Sequence, residues 1–236
     1  MSQPVCLVTG VGPDGGTGAE IAKRFARGGY QVAMLARNEQ NLAALAAANP
    51  GTHPYPCDVG DTEALVATVD QVRADLGAPK VVVHNALRAT RGPLLEQDPE
   101  DLERNFRVNA TALLYLAQSC LPAMVEAGEG AILVTGNTSA TRGKTNWGFF
   151  ASTKAAQRIL AESIAREFGP QGVHVAYFLI DAAIDTPRTR PRLAPGKPDD
   201  FFAKPAAIAE EMFHIAHQDR STWSFLVELR PFGETW

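Results

Sequence analysis

The sequence predicts an α/β protein, a doubly wound parallel β-sheet with helices on both faces, in a single domain spanning residues 1–236. Three observations predict it. Short apolar runs alternate with helical patterns along most of the chain, in the order β-α-β-α-β-α-β-α-β-α-β. The runs are nearly continuous in apolar residues rather than alternating, as strands buried on both faces of a parallel sheet require. The length of 236 residues suits one domain and is short for two.

Taken in order, the strands are expected at residues 4–9, 30–36, 53–57, 80–84, 131–135, 173–180 and 224–229. Between them, residues 61–76 place Leu65, Val69, Val72 and Leu76 on one helical face. Asp98-Pro99-Glu100-Asp101 opens a second helix, with an Asp cap and Pro in the first turn, and this helix is expected to reach about Cys120. A third, residues 150–168, carries Ile159, Leu160, Ile164 and Phe168 and stops at Gly169-Pro170. The rhythm breaks once. Residues 185–205 hold five prolines together with Arg188, Arg190 and Arg192. Such an irregular insertion reads as a lid or binding loop. Its arginines are either solvated or aimed at an acidic substrate.

Composition narrows the function classes. Hydrophobic residues make up 45% and charged residues 20%, which suits a buried core and excludes disordered, collagenous and coiled-coil chains. With 22 basic and 26 acidic residues the net charge is −4, so there is no electrostatic footprint for nucleic acid and no pull toward an anionic membrane. Met1 to Gly10 passes straight into a strand, so no leader is expected, and no apolar run nears the ~18–20 residues of a spanning helix. Cys6, Cys57 and Cys120 are scattered, two in predicted strands and one in a helix, and read as buried and reduced. Among the five histidines only His214 and His217 lie close, and no metal site is expected. A cytoplasmic protein acting on a small molecule fits these facts.

The first strand ends in Thr9-Gly10-Val11-Gly12-Pro13-Asp14-Gly15-Gly16-Thr17-Gly18, and a helix follows. Gly10, Gly12 and Gly15 match G-x-G-x-x-G in its strand–turn–helix context. Glycines let the backbone approach a pyrophosphate, and the helix N-terminus supplies N–H groups and the positive end of a dipole. A Rossmann-like dinucleotide site is thereby expected. After the second strand comes Ala36-Arg37, with no acid to hold a ribose 2′-hydroxyl. Arg37 suits a 2′-phosphate, which favours NADP(H) over NAD(H). The alternative is a solvated surface arginine.

The chain resembles the short-chain dehydrogenase/reductase family from Thr9 to about Thr186. The motifs are Thr9-Gly10 with Gly16-Thr17-Gly18; Cys57-Asp58-Val59; His84-Asn85-Ala86; Val108-Asn109; Lys154; and Ile180-Asp181-Ala182-Ala183-Ile184-Asp185-Thr186. The resemblance implies that Asp58 and Val59 contact adenine. It implies that Asn85, Ala86, Ile184 and Thr186 line the nicotinamide side. Asn109 would hold a water of a proton relay, and Lys154 would bind the ribose. A homodimer or homotetramer built on helices 98–120 and 150–168 is implied as well.

The departures carry as much information. Gly10 and Gly16 are separated by five residues where the family has three, and Leu87 stands where it has Gly. Four residues before Lys154, where the family has its proton-donating Tyr, stands Phe150. An ungapped count to the family's Ser reaches Asn137, with Thr138 and Ser139 beside it. General acid–base help is worth about 10²–10⁴-fold, so an ordinary ketone is expected to be a poor substrate. An acceptor that is already activated, such as an iminium or a conjugated alkene, escapes that need. Replacement acids are Asp181, Asp185, Ser139 or a water held by Asn109 and Lys154. The leading expectation is an oxidoreductase with an altered proton-donor site. The alternatives are an inactive NADP-binding sensor or interaction protein, and a non-redox isomerase or lyase.

Overall fold

The computed structural model describes residues 3–193 and 195–233. Its strands are β1 Val5–Thr9, β2 Gln31–Ala36, β3 Thr52–Pro56, β4 Pro79–His84, β5 Gly130–Asn137, β6 Val173–Ile180, β7 Ala183–Ile184, β8 Phe202–Ala203 and β9 Leu226–Leu229. Seven of them form one sheet in the order β3-β2-β1-β4-β5-β6-β9, and every pairing is parallel. The expected doubly wound parallel sheet is present. The chain winds outward from β1 in one direction to β3 and in the other to β9. The switch point therefore falls between β1 and β4, where such sheets open a ligand crevice beyond their carboxyl ends.

The helices are α1 Thr17–Arg27, α2 Glu39–Ala48, α3 Thr62–Asp75, α4 Pro99–Phe106, α5 Ala112–Ala127, α6 Gly148–Phe168, α7 Thr189–Leu193 and α8 Pro205–Ala216. One core layer joins Leu65, Val69, Leu113, Leu116 and Ile164 to Leu7 and Val82 of the sheet. The opposite layer joins Ile21, Phe25, Leu42 and Met212 to Val8, Val83 and Phe178. Because both faces are covered, β6 is buried at all eight positions, which accounts for a sequence that is apolar but for His174. The helix starts follow their caps. The Asp61 side chain accepts from Ala64 N at 3.0 Å, and that of Asp98 accepts from Glu100 N at 3.1 Å.

Four expectations change. The helix from Asp98 runs seven residues past Cys120, to Ala127, and closes on Gly128 in the left-handed region (φ 64°). It contains a π-helical turn, Arg107–Thr111, centred on Asn109. The helix Pro99–Ala127 is also long and apolar enough to cross a membrane, holding an 18-residue stretch with a mean hydropathy of 1.3, which the apolar-run count missed; half of that stretch is buried in the protein. Cys57 lies one residue beyond β3, still buried. The insertion at 185–205 is less irregular than expected. β7 and β8 pair as Ala183↔Phe202 and Ile184↔Ala203, tying its base together, and α7 sits within it. Two-residue strands carry no periodicity for a sequence to show.

Gly136 in β5 permits a close contact, for a Cβ there would fall 2.1 Å from the Tyr177 ring, itself fully buried. Gly136→Ala is therefore expected to cost about 2–4 kcal/mol in urea unfolding, while Gly143→Ala, facing open space, stays within about 0.5 kcal/mol. Equal midpoints for the two variants would refute the packing argument.

Candidate active site

The glycine loop after β1 is shaped by two contacts. Gly10 has φ +70°, and a Cβ there would lie 2.5 Å from the Ala86 Cα. A Cβ on Gly18 would lie 2.5 Å from the Gly10 carbonyl oxygen and 2.9 Å from Asn85 Nδ2. These two glycines let the β1 and β4 loops touch. Gly12 and Gly15 face open space instead, and Gly16 precedes Thr17 at the start of α1 with no side-chain cap on its amides. The extended loop closes on itself: Gly16 N donates to Pro13 O at 3.0 Å, and the Asp14 carboxylate accepts from Gly15 N at 3.0 Å and from Lys23. Arg37 is exposed at the end of β2 and has no ion-pair partner among the described residues. Its neighbour Asn38 turns back to cap α2. Asp58 is exposed and accepts from Gly60 N at 3.0 Å; Val59 is buried.

Beneath the crevice lies a buried polar network. Lys154 is 2% exposed. Its Nζ donates to Thr135 O at 2.8 Å and to Gln157 Oε1 at 2.5 Å. Gln157 Nε2 donates in turn to the Asn109 main-chain oxygen at 2.6 Å, which also lies 3.3 Å from His84 Nε2. His84 Nδ1 is 3.1 Å from Thr9 Oγ1. That hydroxyl accepts from Asn85 N and Ala86 N at 3.1 and 3.2 Å. A neutral imidazole protonated on Nε2 satisfies every partner, because Thr9 then donates to Nδ1. Asn85 Nδ2 donates to Gly10 O at 3.0 Å, and its Oδ1 accepts from Thr135 Oγ1 at 3.3 Å.

The Asn109 side chain bridges to the loop after β4. Nδ2 donates to Arg88 O at 2.8 Å and to Thr153 Oγ1 at 2.8 Å, and Oδ1 accepts from Arg88 N at 3.0 Å. The resemblance implies a water on Asn109. Here both lone pairs of its main-chain oxygen face protein donors, His84 and Gln157. Gln157 escaped the sequence analysis. Its signal was a polar residue one turn past Lys154 on a helix face that is otherwise apolar.

Phe150 is 1% exposed, one turn before Lys154, and its ring centroid lies 5.8 Å from that of Trp147. Asn137 Oδ1 accepts from Ser139 N at 3.0 Å. Ser139 is buried, and its hydroxyl has no partner among the described residues. Two of the proposed replacement acids are otherwise engaged. Asp185 takes Arg190 Nε and Nη2 at 2.8 and 2.9 Å, and this pair holds its carboxyl below the usual range. Asp181 lies 3.6 Å from Arg230. Both are therefore engaged in ion pairs with arginine. Arg190 also meets Asp199 at 2.9 Å and is a structural strut of the lid. Ile184 sits in β7, and the Thr186 hydroxyl accepts from Thr189 N at 3.0 Å, opening α7.

Residues 4–194 match the family model described as short chain dehydrogenase. The chain belongs to the short-chain dehydrogenase/reductase family. It is 32% identical over 170 residues to the L-xylulose reductase of Mus musculus, covering 72% of this chain and 67% of that protein. The D-erythrulose reductase of Gallus gallus matches to the same extent. Among solved structures it resembles an alcohol dehydrogenase from the archaeon Thermococcus sibiricus complexed with 5-hydroxy-NADP, with a TM-score of 0.83, 26% identity and 98% of each chain covered. A metagenomic short-chain oxidoreductase in complex with NADP shares the fold, with a TM-score of 0.84, 24% identity and 99% of each chain covered.

The family uses nicotinamide cofactors, and the residues present fit one. Gly12 and Gly15 leave open space in the loop that leads into the uncapped α1 amides. The buried Lys154 ammonium has three N–H donors and two protein acceptors, which leaves one for a ribose hydroxyl. Burial lowers the Lys154 pKa to about 7. Burial, with Lys154 nearby, lowers that of His84 to about 4.

These shifts set a pH dependence. The unfolded chain binds the extra proton at His84 below about pH 6.5 and at Lys154 up to about pH 10, so stability should rise with pH across both windows. Wild type is expected to gain on Lys154→Met in melting temperature between pH 7 and 10, and to lose on His84→Gln as pH falls from 6.5 to 4. Differences that stay flat with pH would contradict the buried-charge account.

Proposed function

We propose that this protein is an NADP(H)-dependent oxidoreductase that moves hydride between the cofactor and a small organic substrate whose acceptor carbon is already activated, such as an iminium or a conjugated alkene. The observation that carries the reading is Phe150, a buried ring without a hydroxyl one turn before Lys154. When bound, the cofactor supplies or accepts the hydride. Gly10, Gly12, Gly16, Thr17 and Gly18 would hold its pyrophosphate, and Arg37 the 2′-phosphate. Asp58, Val59, Asn85, Ala86, Ile184 and Thr186 would line its two ends. Lys154 would hold the ribose with its remaining N–H.

A ketone that receives hydride becomes an alkoxide and needs a proton as it forms. An iminium becomes a neutral amine and needs none, and a conjugated alkene becomes an enolate that takes its proton at carbon from water in a later step. Phe150 fits the second case, as do the ion-paired Asp181 and Asp185. So does the Asn109 oxygen, whose lone pairs are taken by His84 and Gln157, so that no relay water starts there. Asn109 then acts as a positioning residue joining the β4 loop to α6. Ser139, beside Asn137, is the hydroxyl best placed to polarise an acceptor. Free, buried Cys6, Cys57 and Cys120 support a reducing, cytoplasmic setting. Exposed Leu114 and Ile159 on α5 and α6 support a homodimer or homotetramer through that helix pair.

The same missing hydroxyls favour the second reading, an NADP-binding sensor without turnover. An NADPH oxidation assay separates the two. A preformed cyclic iminium is expected to react at least about 10²-fold faster than the matched ketone, and Phe150→Tyr to narrow that gap by raising ketone reduction. No oxidation of NADPH by any imine, enone or ketone, with binding intact, would favour the sensor. Arg37→Ala is expected to weaken NADPH about ten-fold and leave NADH unchanged. Equal effects on both cofactors would remove the NADP preference.

A further inference from the structure

The loops after β4 and β5 meet above Phe150. Gly92 N donates to Asn146 O at 3.0 Å, which clamps one loop to the other. Asn146 sits at φ 66°, the one non-glycine residue in the left-handed region among those described. Such backbone persists where surrounding contacts hold it and gathers at ligand sites. The clamp brings the Arg91 guanidinium carbon to 3.7 Å from the Trp147 ring centroid and 5.7 Å from that of Phe150.

Charge is distributed unevenly around this point. Residues 85–95 and 137–147 contain Arg88, Arg91, Arg142 and Lys144 and no Asp or Glu, in a chain whose net charge is −4. Arg88 is paired with Asp101 at 3.0 Å. Across the crevice, Asp181 and Asp185 face Arg230 and Arg190. Among the described residues no carboxylate reaches Arg91. Stacking on Trp147 uses the face of its guanidinium and leaves the in-plane N–H groups for a planar anion.

We propose that Arg91, stacked on Trp147, is the specificity-determining residue of this cleft and binds a carboxylate carried by the substrate. A guanidinium already fixed by a ring loses little freedom on forming the two parallel hydrogen bonds that a carboxylate accepts. Arg91 lies 5.7 Å from the ring of Phe150, which is buried one turn before Lys154 on α6. A substrate anchored at Arg91 therefore sits on the loop side of that ring, with its far end free to reach toward the nicotinamide side. The substrates are then small acids bearing the activated acceptor away from the carboxylate. Arg188 and Arg192, exposed on the lid, are not needed.

The proposal rests on this cleft being the substrate site but not on turnover. Calorimetric titration of the NADP⁺-saturated protein compares cinnamate with cinnamamide, two ligands of one shape that differ in charge. Wild type is expected to bind cinnamate at least about ten-fold more tightly. Arg91→Met should bring the two within about two-fold, Arg91→Lys should keep part of the preference, and the pair Arg188→Met with Arg192→Met should keep all of it. Equal binding by wild type, an unchanged ratio in Arg91→Met, or a preference lost with the lid pair instead would each overturn the proposal. A preserved ratio in a protein that oxidises no NADPH with any acceptor would overturn the oxidoreductase reading and leave Arg91 in place.

Discussion

The buried ammonium of Lys154 is the constraint around which the rest of the site is arranged. A charge 2% exposed is costly unless its donors find acceptors. Two are fixed in the protein, the Thr135 carbonyl at the end of β5 and the Gln157 amide one turn along α6. Gln157 must then place its own N–H groups, and it uses the Asn109 main-chain oxygen. A regular α-helix would bond that carbonyl within the helix, four residues on. The π turn at Arg107–Thr111 interrupts that ladder, as such turns commonly do at functional sites. The bulge, the glutamine and the lysine form one arrangement, and the neutral His84 completes it from β4.

The crevice above this network exists because two loops are allowed to touch. Gly10 and Gly18 remove the Cβ atoms that would hold the β1 and β4 loops apart. Asn85 then spans from Gly10 O to Thr135 Oγ1, coupling the glycine loop to β5, whose Thr135 carbonyl also receives Lys154. Cofactor loop and lysine therefore belong to one hydrogen-bonded unit. On the proposed function, this unit is what lets the cofactor half of the family's machinery persist while residues facing the substrate change.

Much of this was legible from residues, and the reasons differ by element. The five inner strands β1, β2, β4, β5 and β6 announced themselves through nearly continuous apolar runs, because burial on both faces leaves little polar alternation, whereas the edge strands β3 and β9 alternate in burial. The helix starts at Asp61 and Asp98 were readable from capping chemistry, which is local. The π turn was not, since nothing in Arg107-Val108-Asn109 distinguishes it from α-helix without its tertiary partners. β7 and β8 were too short to show a period. Phe150 and Lys154 were located through the resemblance to the family, whose Tyr and Lys stand four residues apart on one helix. Gln157 and Arg91 were not, because their roles depend on partners 48 residues away along the chain at Asn109 and across a loop clamp at Trp147.

The missing phenol also changes what the lysine is for. Beside a tyrosine, a buried ammonium makes the phenol a better acid, and the desolvation it suffers serves proton transfer. Beside Phe150 no such acid exists, and the low pKa of Lys154 has no chemical recipient on α6. What remains is its third N–H, which only a ligand can satisfy. A hydroxyl oxygen accepting that bond stabilises the charged form, so ligand binding and protonation of Lys154 favour each other. On the proposed function the ammonium is accordingly a cofactor-binding group rather than half of an acid pair. On the same proposal, selection among substrates falls to what lies beside Phe150, namely Trp147 and the cation stacked upon it.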